Sequence, residues 1–300
     1  MKVFLTGPTG QLGGAIADVL MAKGHHIVGL ARDEDAAATL QSRDIEAVVG
    51  DLADAPRVAA QAAKADGVIH VAVTGDDRQA EVDVAVTTGM LDALAGSGSP
   101  FVHTSGGWVL GNTGARPADE DAPIAVAETI AWRPALERTV RSAAERDVRS
   151  IVIRPAIMFG RGRGLPAMYV AWAQQRGIGR CVGDGENRWS FVHADDLAEL
   201  YCLALEQGPA GTLLNGASGE TLVQSELARA ADRAAGGEGN FEPWPLNEAR
   251  QELGVLADAL ALDQNLSGDR ARRLLGWSPS RFGVAEEVAH GSYRLALSGS

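Results

Sequence analysis

A turn built on three glycines constrains this 300-residue chain more than any other part of its sequence. The turn TGPTGQLG, residues 6–13, follows a short apolar run at 3–5 that is typical of a buried parallel strand. Apolar side chains then recur at helical spacing: Leu12, Ile16, Val19 and Leu20. Glycine at 7, 10 and 13 lets the chain turn tightly, admits a pyrophosphate to backbone N–H groups, and lets the helix pack on the strand. The context therefore predicts a dinucleotide site with the phosphates at the helix N-terminus.

The spacing of these glycines is GxxGxxG, whereas the best-known dinucleotide fingerprint is GxGxxG. An ordinary glycine-rich turn between a strand and a helix therefore stays open as the alternative. The residues predicted to bind the cofactor in this turn are Thr6, Gly7, Thr9, Gly10, Gln11, Leu12 and Gly13.

The rest of the N-terminal half repeats the order strand, turn, helix. Apolar runs at 27–31, 47–49, 68–73, 101–104 and 150–153 are predicted strands, and helical segments are predicted near 54–64, 79–95 and 134–146. Strands separated by helices imply right-handed crossovers, so we expect an α/β fold with a Rossmann-type doubly wound parallel sheet.

The repeated order of strand, turn and helix changes after residue 155. We expect residues 1–160 to form the dinucleotide-binding domain and 161–300 a smaller substrate-binding lobe, with segments near 195–215 returning to the main sheet. The glycine- and arginine-rich segment 160–164 is predicted to be a mobile basic loop. The cleft between the two parts is the expected place for a substrate.

The amino-acid composition disfavours several classes of binding partner. The net charge of −12 disfavours nucleic acid and anionic membranes. No apolar run approaches the roughly 18 residues of a membrane span, and no signal peptide is recognisable, so a cytoplasmic protein is expected. Two cysteines and six scattered histidines give no metal-ligand spacing, and no metal is predicted.

Several further motifs occur along the chain in the order in which they occur in a known protein family. They are GDL at 50–52, HVAV at 70–73, FVHTSGG at 101–107, IRPAIMFGRG at 153–162, VGDGENRWSFVHADDLA at 182–198 and RARRLLGWSP at 270–279. With the glycine turn they make the whole chain resemble the extended short-chain dehydrogenase/reductase superfamily, close to NAD-dependent epimerases/dehydratases. The resemblance places Asp51 and Leu52 near the adenine, and His70, Val71, Ala72, Val73 and Pro155 along the cofactor. It also implies a homodimer through the helices near 79–95 and 134–146.

The end of the second strand bears on the choice of cofactor. Members of the superfamily that prefer NAD carry an acidic residue there, which binds the adenosine ribose. Here Ala31 holds that position and Arg32 follows it. An arginine can clamp a 2′-phosphate through charge-assisted hydrogen bonds. NADP(H) is therefore the expected cofactor and NAD(H) the alternative, although Arg32 could also be a plain surface arginine.

The catalytic residues usual in the superfamily are missing. None of the three tyrosines has a lysine four residues later, so the YxxxK pair is absent. Counting back from residues 154–155 places Thr129 and Arg133 at those positions, whereas counting forward from the glycine strand suggests Trp132 and Leu136. The first pair is preferred, because Glu137 then falls on a position that is often acidic in the family. Gly106 falls where the family serine stands, and Ser105 is the expected substitute.

Asp83 occupies the position of the family asparagine, as in the atypical branch of the superfamily. If desolvated, it would have a raised pKa and could act as a proton donor. Trp189 stands where nucleotide-sugar epimerases carry an arginine, which favours a flat or apolar substrate. Trp108 and Trp189 are predicted to line the substrate pocket, with burial in a core as the alternative.

The leading functional hypothesis is an NADP(H)-dependent oxidoreductase that acts on a small, largely uncharged metabolite. An epimerase or dehydratase with retained cofactor and a non-catalytic NADP(H)-binding redox sensor remain as alternatives.

Overall fold

The computed structural model describes residues 1–295 as an α/β protein with twelve strands and thirteen α-helices in that part of the chain. The strands are β1 Lys2–Thr6, β2 His26–Ala31, β3 Glu46–Val49, β4 Gly67–His70, β5 Pro100–Thr104, β6 Arg149–Pro155, β7 Ile157–Phe159, β8 Gly179–Val182, β9 Arg188–His193, β10 Thr212–Gly216, β11 Glu220–Val223 and β12 Phe241–Trp244. The α-helices are α1 Gln11–Ala22, α2 Glu34–Gln41, α3 Ala55–Ala62, α4 Gln79–Leu94, α5 Arg133–Ser142, α6 Leu165–Arg176, α7 Ala194–Gln207, α8 Gln224–Ala234, α9 Leu246–Leu253, α10 Leu256–Leu260, α11 Asp269–Leu275, α12 Val284–His290 and α13 Ser292–Leu295. Short 3-10 helices cover Gly107–Leu110, Glu128–Ile130 and Ala143–Arg146.

Seven parallel strands form the central sheet in the order β10-β6-β5-β4-β1-β2-β3. The predicted doubly wound parallel sheet is therefore confirmed. The strand order reverses between β1 and β4, and the crevice at the carboxyl ends of strands beside such a point is where open α/β sheets bind ligands. The glycine turn between β1 and α1 lies at this place. The last strand, β10, comes from the second half of the chain and pairs with β6.

Side chains of β1 alternate between two hydrophobic cores, one on each face of the sheet. Val3 and Leu5 belong to the core that includes α1 and α7, whereas Phe4 packs with α3, α4 and α5. A third core lies outside the main sheet and is built on α6, α8, β8 and β9. Two smaller sheets, β11-β9-β7 and β12-β8, belong to this region.

The strand predicted over 68–73 ends early, at His70. The backbone N–H groups of Val71 and Ala72 donate to the Thr6 hydroxyl oxygen, both at 3.2 Å, so they do not extend the ladder. This turn brings residues 71–73 against the glycine turn. Within residues 1–295, no helix is long and apolar enough to cross a membrane.

Candidate cofactor and substrate site

The glycine turn is packed so closely that side chains at its glycine positions would clash with the neighbouring backbone. Gly7 adopts a φ of +70°, and a Cβ there would lie 3.1 Å from the backbone of Ala72. A Cβ at Gly13 would lie 2.0 Å from the Gly7 carbonyl oxygen. Gly10 precedes α1 and brings no side chain to cap it, so the first N–H groups of the helix stay available for a ligand. The turn therefore fits the pyrophosphate of a dinucleotide.

A cavity of about 350 Å³ lies over this turn, and we call it the cofactor cavity. Its lining brings together many of the predicted site residues. They are Gly7, Gly10, Gln11, Leu12, Gly13, His70, Val71, Ala72, Val73, Asp83, Ser105, Arg133 and Pro155, joined by Thr104 and Met158.

A second cavity, of about 530 Å³, adjoins the first, and we call it the apolar cavity. The two share five lining residues: Gln11, Ser105, Arg133, Pro155 and Met158. Most of its remaining wall is hydrophobic, with Trp108, Ile130, Ile157, Leu165, Leu256 and Leu266. A ligand in the apolar cavity would thus lie next to a ligand in the cofactor cavity.

Two hydrogen-bond donors in the apolar cavity have no partner within the described part of the chain. They are the Ser105 hydroxyl and the Trp108 indole N–H, and both atoms are buried. Ser105 follows β5 directly and is anchored by its own N–H, which donates to the Ile153 carbonyl at 2.8 Å. Because a buried polar atom without a partner costs free energy, these two donors are consistent with a ligand that carries an acceptor.

A chain of hydrogen bonds fixes the polar floor of the cofactor cavity. The Thr6 hydroxyl accepts from two N–H groups, so its own hydrogen is directed to His70 Nδ1, 2.7 Å away. His70 then carries its proton on Nε2, which lies 3.3 Å from Asp83 Oδ1. The Trp132 indole N–H donates to the other Asp83 oxygen at 3.3 Å.

The surroundings of Asp83 contradict its predicted raised pKa. Burial alone would raise the pKa, but the hydrogen bond from His70, the neighbouring His103 and the bond from Trp132 together lower it to about 2. Asp83 is therefore ionised at neutral pH and is not a proton donor. Burial also lowers the pKa of His103, to about 3.

The side chains of His70, Asp83 and His103 each offer an atom that could bind a metal ion, and these three atoms lie within 4.8 Å of one another. Both ring nitrogens of His70 are already engaged, so a metal would have to displace one of these bonds.

Arg133 begins α5 and lines both cavities. Its guanidinium lies 5.3 Å from the centre of the Trp132 ring and forms no ion pair with any described residue. Thr129, the other residue predicted from the count back from 154, is exposed and lines neither cavity. It lies in the 3-10 turn before α5, where Ile130 points into the apolar cavity instead. Of the alternative pair, Trp132 binds Asp83.

Leu136, the other member of that alternative pair, is buried. Trp189 was predicted to line the substrate pocket, and this is wrong. Its side chain is fully buried in the third core, against Tyr169 and Phe191, and its indole N–H donates to the Leu262 carbonyl at 3.0 Å. Residues Leu256 and Leu266, which do line the apolar cavity, carry no local sequence signal that distinguishes them from core leucines.

The predicted adenine end of the site is open to solvent. Arg32 directly follows β2, its side chain is 89% exposed, and its Nε lies 3.1 Å from the Asp33 carboxylate. Asp33 also caps α2 by accepting from the Ala36 N–H at 2.7 Å. Asp51 is exposed and Leu52 half-buried.

Comparison with known proteins agrees with this geometry. A sequence model of the NAD dependent epimerase/dehydratase family matches residues 3–216. An uncharacterized protein of Saccharomyces cerevisiae, YLL056C, is 31% identical over 96% of this chain and 98% of its own length. The UDP-glucose 4-epimerase of Mycolicibacterium smegmatis is 28% identical, over 96% of each chain. The 2-alkyl-3-oxoalkanoate reductase of Stenotrophomonas maltophilia is 27% identical, over 93% of this chain and 95% of its own.

Among solved structures, the dTDP-glucose 4,6-dehydratase of Bacillus anthracis in complex with NAD superposes with a TM-score of 0.81. The match covers 99% of this chain and 97% of that one, at 14% identity. This likeness concerns the fold.

Proposed function

The chain belongs to the NAD-dependent epimerase/dehydratase family, an extended short-chain dehydrogenase/reductase family that binds NAD(P), and within it we propose an NADP(H)-dependent reductase. Its substrate is a small metabolite with an apolar body and one reducible polar group. The observation that carries this proposal is the apolar cavity, which shares Ser105 and Arg133 with the cofactor cavity.

The chemistry of the apolar cavity favours this substrate over a nucleotide sugar. A sugar diphosphate presents many hydroxyls and two phosphates, and each needs a hydrogen-bonding or charged partner when it is buried. Among the described residues, the cavity offers a single cation, Arg133, and long hydrophobic walls. The similarity to a 2-alkyl-3-oxoalkanoate reductase is compatible with a substrate of this kind.

The nicotinamide of a bound cofactor would supply the hydride. The protein would supply two donors at the junction of the two cavities, the Arg133 guanidinium and the Ser105 hydroxyl, and a third in the apolar cavity, the Trp108 N–H. They would hold the substrate oxygen and stabilise the negative charge that develops on it, because preorganised donors in a dry site cost no reorganisation during the reaction. Arginine does not release its proton and Asp83 is ionised, so the proton comes from water, either directly or through the Ser105 hydroxyl, which passes its proton to the product and regains one from water.

The preference for NADP(H) rests on Arg32. Ala31 brings no carboxylate to the end of β2, and the exposed guanidinium of Arg32 can bind a 2′-phosphate through two hydrogen bonds. Its present contact with Asp33 is a weak surface pair.

The proposal is tested by titrating the protein with NADPH and with NADH, following energy transfer from tryptophan to the reduced nicotinamide. NADPH is expected to bind more than tenfold tighter, a difference of about 1.4 kcal/mol or more. Arg32→Ala should abolish this difference. Arg176→Ala, which removes an exposed arginine on α6, should leave it unchanged. Equal binding of both nucleotides by the wild-type protein would contradict the NADP(H) preference.

A panel of apolar ketones, imines and activated double bonds then tests the reaction. Ser105→Ala should lower kcat/KM by about tenfold to a thousandfold without lowering the melting temperature, because it removes a buried hydroxyl that has no partner. Tight NADPH binding with no turnover of any compound would favour the redox sensor. A cofactor that stays bound and is recycled would favour the epimerase or dehydratase.

A further inference from the structure

The basic segment 160–164, which we call the strap, connects β7 to α6. Four of its five residues have positive φ: Gly160 at 90°, Arg161 at 59°, Gly162 at 65° and Gly164 at 83°. Only glycine fits at 160, because a Cβ there would lie 2.3 Å from His193 Nε2. The path of the strap thus depends on glycine at 160, and its mobility stays a prediction.

Side chains of the strap and of α1 tie the strap to the glycine turn. Gln11 Nε2 donates to the carbonyls of Gly160 at 2.9 Å and Arg163 at 3.3 Å. In return, Arg163 Nη1 donates to the Thr9 carbonyl at 3.1 Å. Arg161 reaches Asp18 on the same helix at 2.8 Å. The strap therefore crosses the N-terminus of α1.

The last helix of the described chain holds the strap from the other side. The Tyr293 hydroxyl accepts from the Gly160 N–H at 2.8 Å and donates to the Arg163 carbonyl at 3.0 Å. The Gly162 N–H donates to Ser292 Oγ at 2.8 Å, and Ser292 is itself bonded to Glu287. Tyr293 is only 1% exposed, so its hydrogen bonds to the strap are shielded from water.

The two arginines of the strap differ in their partners. Arg161 is neutralised by Asp18 and by Asp195, 2.6 Å away. Arg163 is exposed, and its guanidinium contacts the Thr9 carbonyl but no carboxylate within residues 1–295. One unneutralised guanidinium is therefore held beside the glycine turn, where the helix dipole and free N–H groups already favour an anion.

We propose that Arg163 is a pyrophosphate-binding residue, and that the strap, held by Tyr293, retains the dinucleotide against the glycine turn. The N–H groups of the turn would bind the phosphates from one side and the guanidinium from the other. The inference rests on the proposed dinucleotide binding and extends it to residues outside the glycine turn.

The position of Arg163 distinguishes it from Arg32. The pyrophosphate is common to NADPH and NADH, whereas only NADPH has a 2′-phosphate. In the energy-transfer titration, Arg163→Ala should weaken NADPH and NADH by the same factor, tenfold or more. Arg32→Ala should weaken NADPH alone, and Arg176→Ala neither. Competition by ADP-ribose, which keeps the pyrophosphate and lacks the nicotinamide, should fall by the same factor as NADH binding.

Tyr293→Phe tests the anchor, because it keeps the ring and removes only the hydroxyl that bonds to the strap. We expect NADPH to dissociate several times faster in stopped-flow displacement. If Arg163→Ala binds both nucleotides as the wild type does, the inference is wrong while the proposed function stands. A loss confined to NADPH would make Arg163 a 2′-phosphate residue and overturn the pyrophosphate assignment. If the wild-type protein binds neither nucleotide, both proposals fail.

Discussion

At the scale of single residues, Asp83 is a carboxylate held ionised inside the protein. Donors from two different elements converge on it, His70 at the end of β4 and Trp132 just before α5. In this setting Asp83 orients the His70 ring and, through it, the Thr6 hydroxyl that closes the turn at 71–72. We assign it a positioning role beneath the cofactor cavity.

The lowered pKa of Asp83 predicts a specific pH dependence of stability. The pKa is about 2 in the folded protein and 3.8 for an unperturbed aspartate. The ionised carboxylate therefore stabilises the fold fully above pH 4, and this stabilisation is lost as the pH falls towards 2. The difference corresponds to about 2 kcal/mol.

Urea unfolding of the wild type and of Asp83→Asn, from pH 7 down to pH 2.5, measures this contribution. The gap in unfolding free energy between the two proteins should narrow below pH 4. Asp92→Asn, at an exposed site on the same helix, is the control and should show a smaller change. A gap for Asp83→Asn that does not depend on pH would contradict the assignment.

At the scale of elements, close packing between β1 and α1 depends on Gly13. Alanine at this position would press a methyl group against the Gly7 carbonyl. We expect Gly13→Ala to lower the free energy of unfolding by about 1–3 kcal/mol and to weaken NADPH binding. Gly89→Ala on α4 is a matched control, because its Cβ would meet Ala59 at an ordinary 3.6 Å. That variant should be neutral or stabilising by up to about 1 kcal/mol. Thermal unfolding and the nucleotide titration report both effects.

A buried ion pair joins α5 to β6 and so helps to place Arg133. Arg154 Nε donates to Glu137 Oε1 at 2.8 Å, and Arg154 Nη2 donates to Glu137 Oε2 at 2.5 Å. Both residues are at most 3% exposed. Glu137→Ala would leave a buried cation without its partner and should cost about 3–5 kcal/mol. The double variant Glu137→Leu, Arg154→Met should recover much of that loss. Urea unfolding of the three proteins tests this; a double variant as unstable as the single one would contradict it.

Local patterns predict the strands, the glycine turn and much of the cofactor cavity, because each of these depends on neighbours in sequence. Two of the three site predictions that the structure contradicts depend on distant partners. The indole of Trp189 lies in the third core, and its N–H donates to the carbonyl of Leu262, which follows 73 residues later. Similarly, the pKa of Asp83 is set by donors 13 and 49 residues away, and no local pattern reports their approach. Thr129 was misplaced because a 3-10 turn precedes α5.

At the scale of the whole molecule, the homodimer through α4 and α5 stays a prediction. Val84 on α4 is 41% exposed and offers an apolar contact to a second copy. If the prediction holds, the wild type sediments as a dimer and Val84→Asp as a monomer, since burying an unpaired carboxylate in an interface is costly. Leu274→Asp on α11, at a residue 51% exposed, should remain dimeric. A monomeric wild type in analytical ultracentrifugation would contradict the prediction.

The position of β10 governs how the protein can be assembled during synthesis. Residues 151–155 of β6 form one edge of the sheet until 212–216 have been made, and only then are their outward N–H and C=O groups paired. A nascent chain halted before β10 would present a bare strand edge, which is a template for pairing with another chain. The nucleotide-binding half thus gains the last strand of its central sheet only when the ribosome has completed more than two-thirds of the polypeptide. We therefore expect a fragment that stops at residue 160 to aggregate through the unpaired edge of β6.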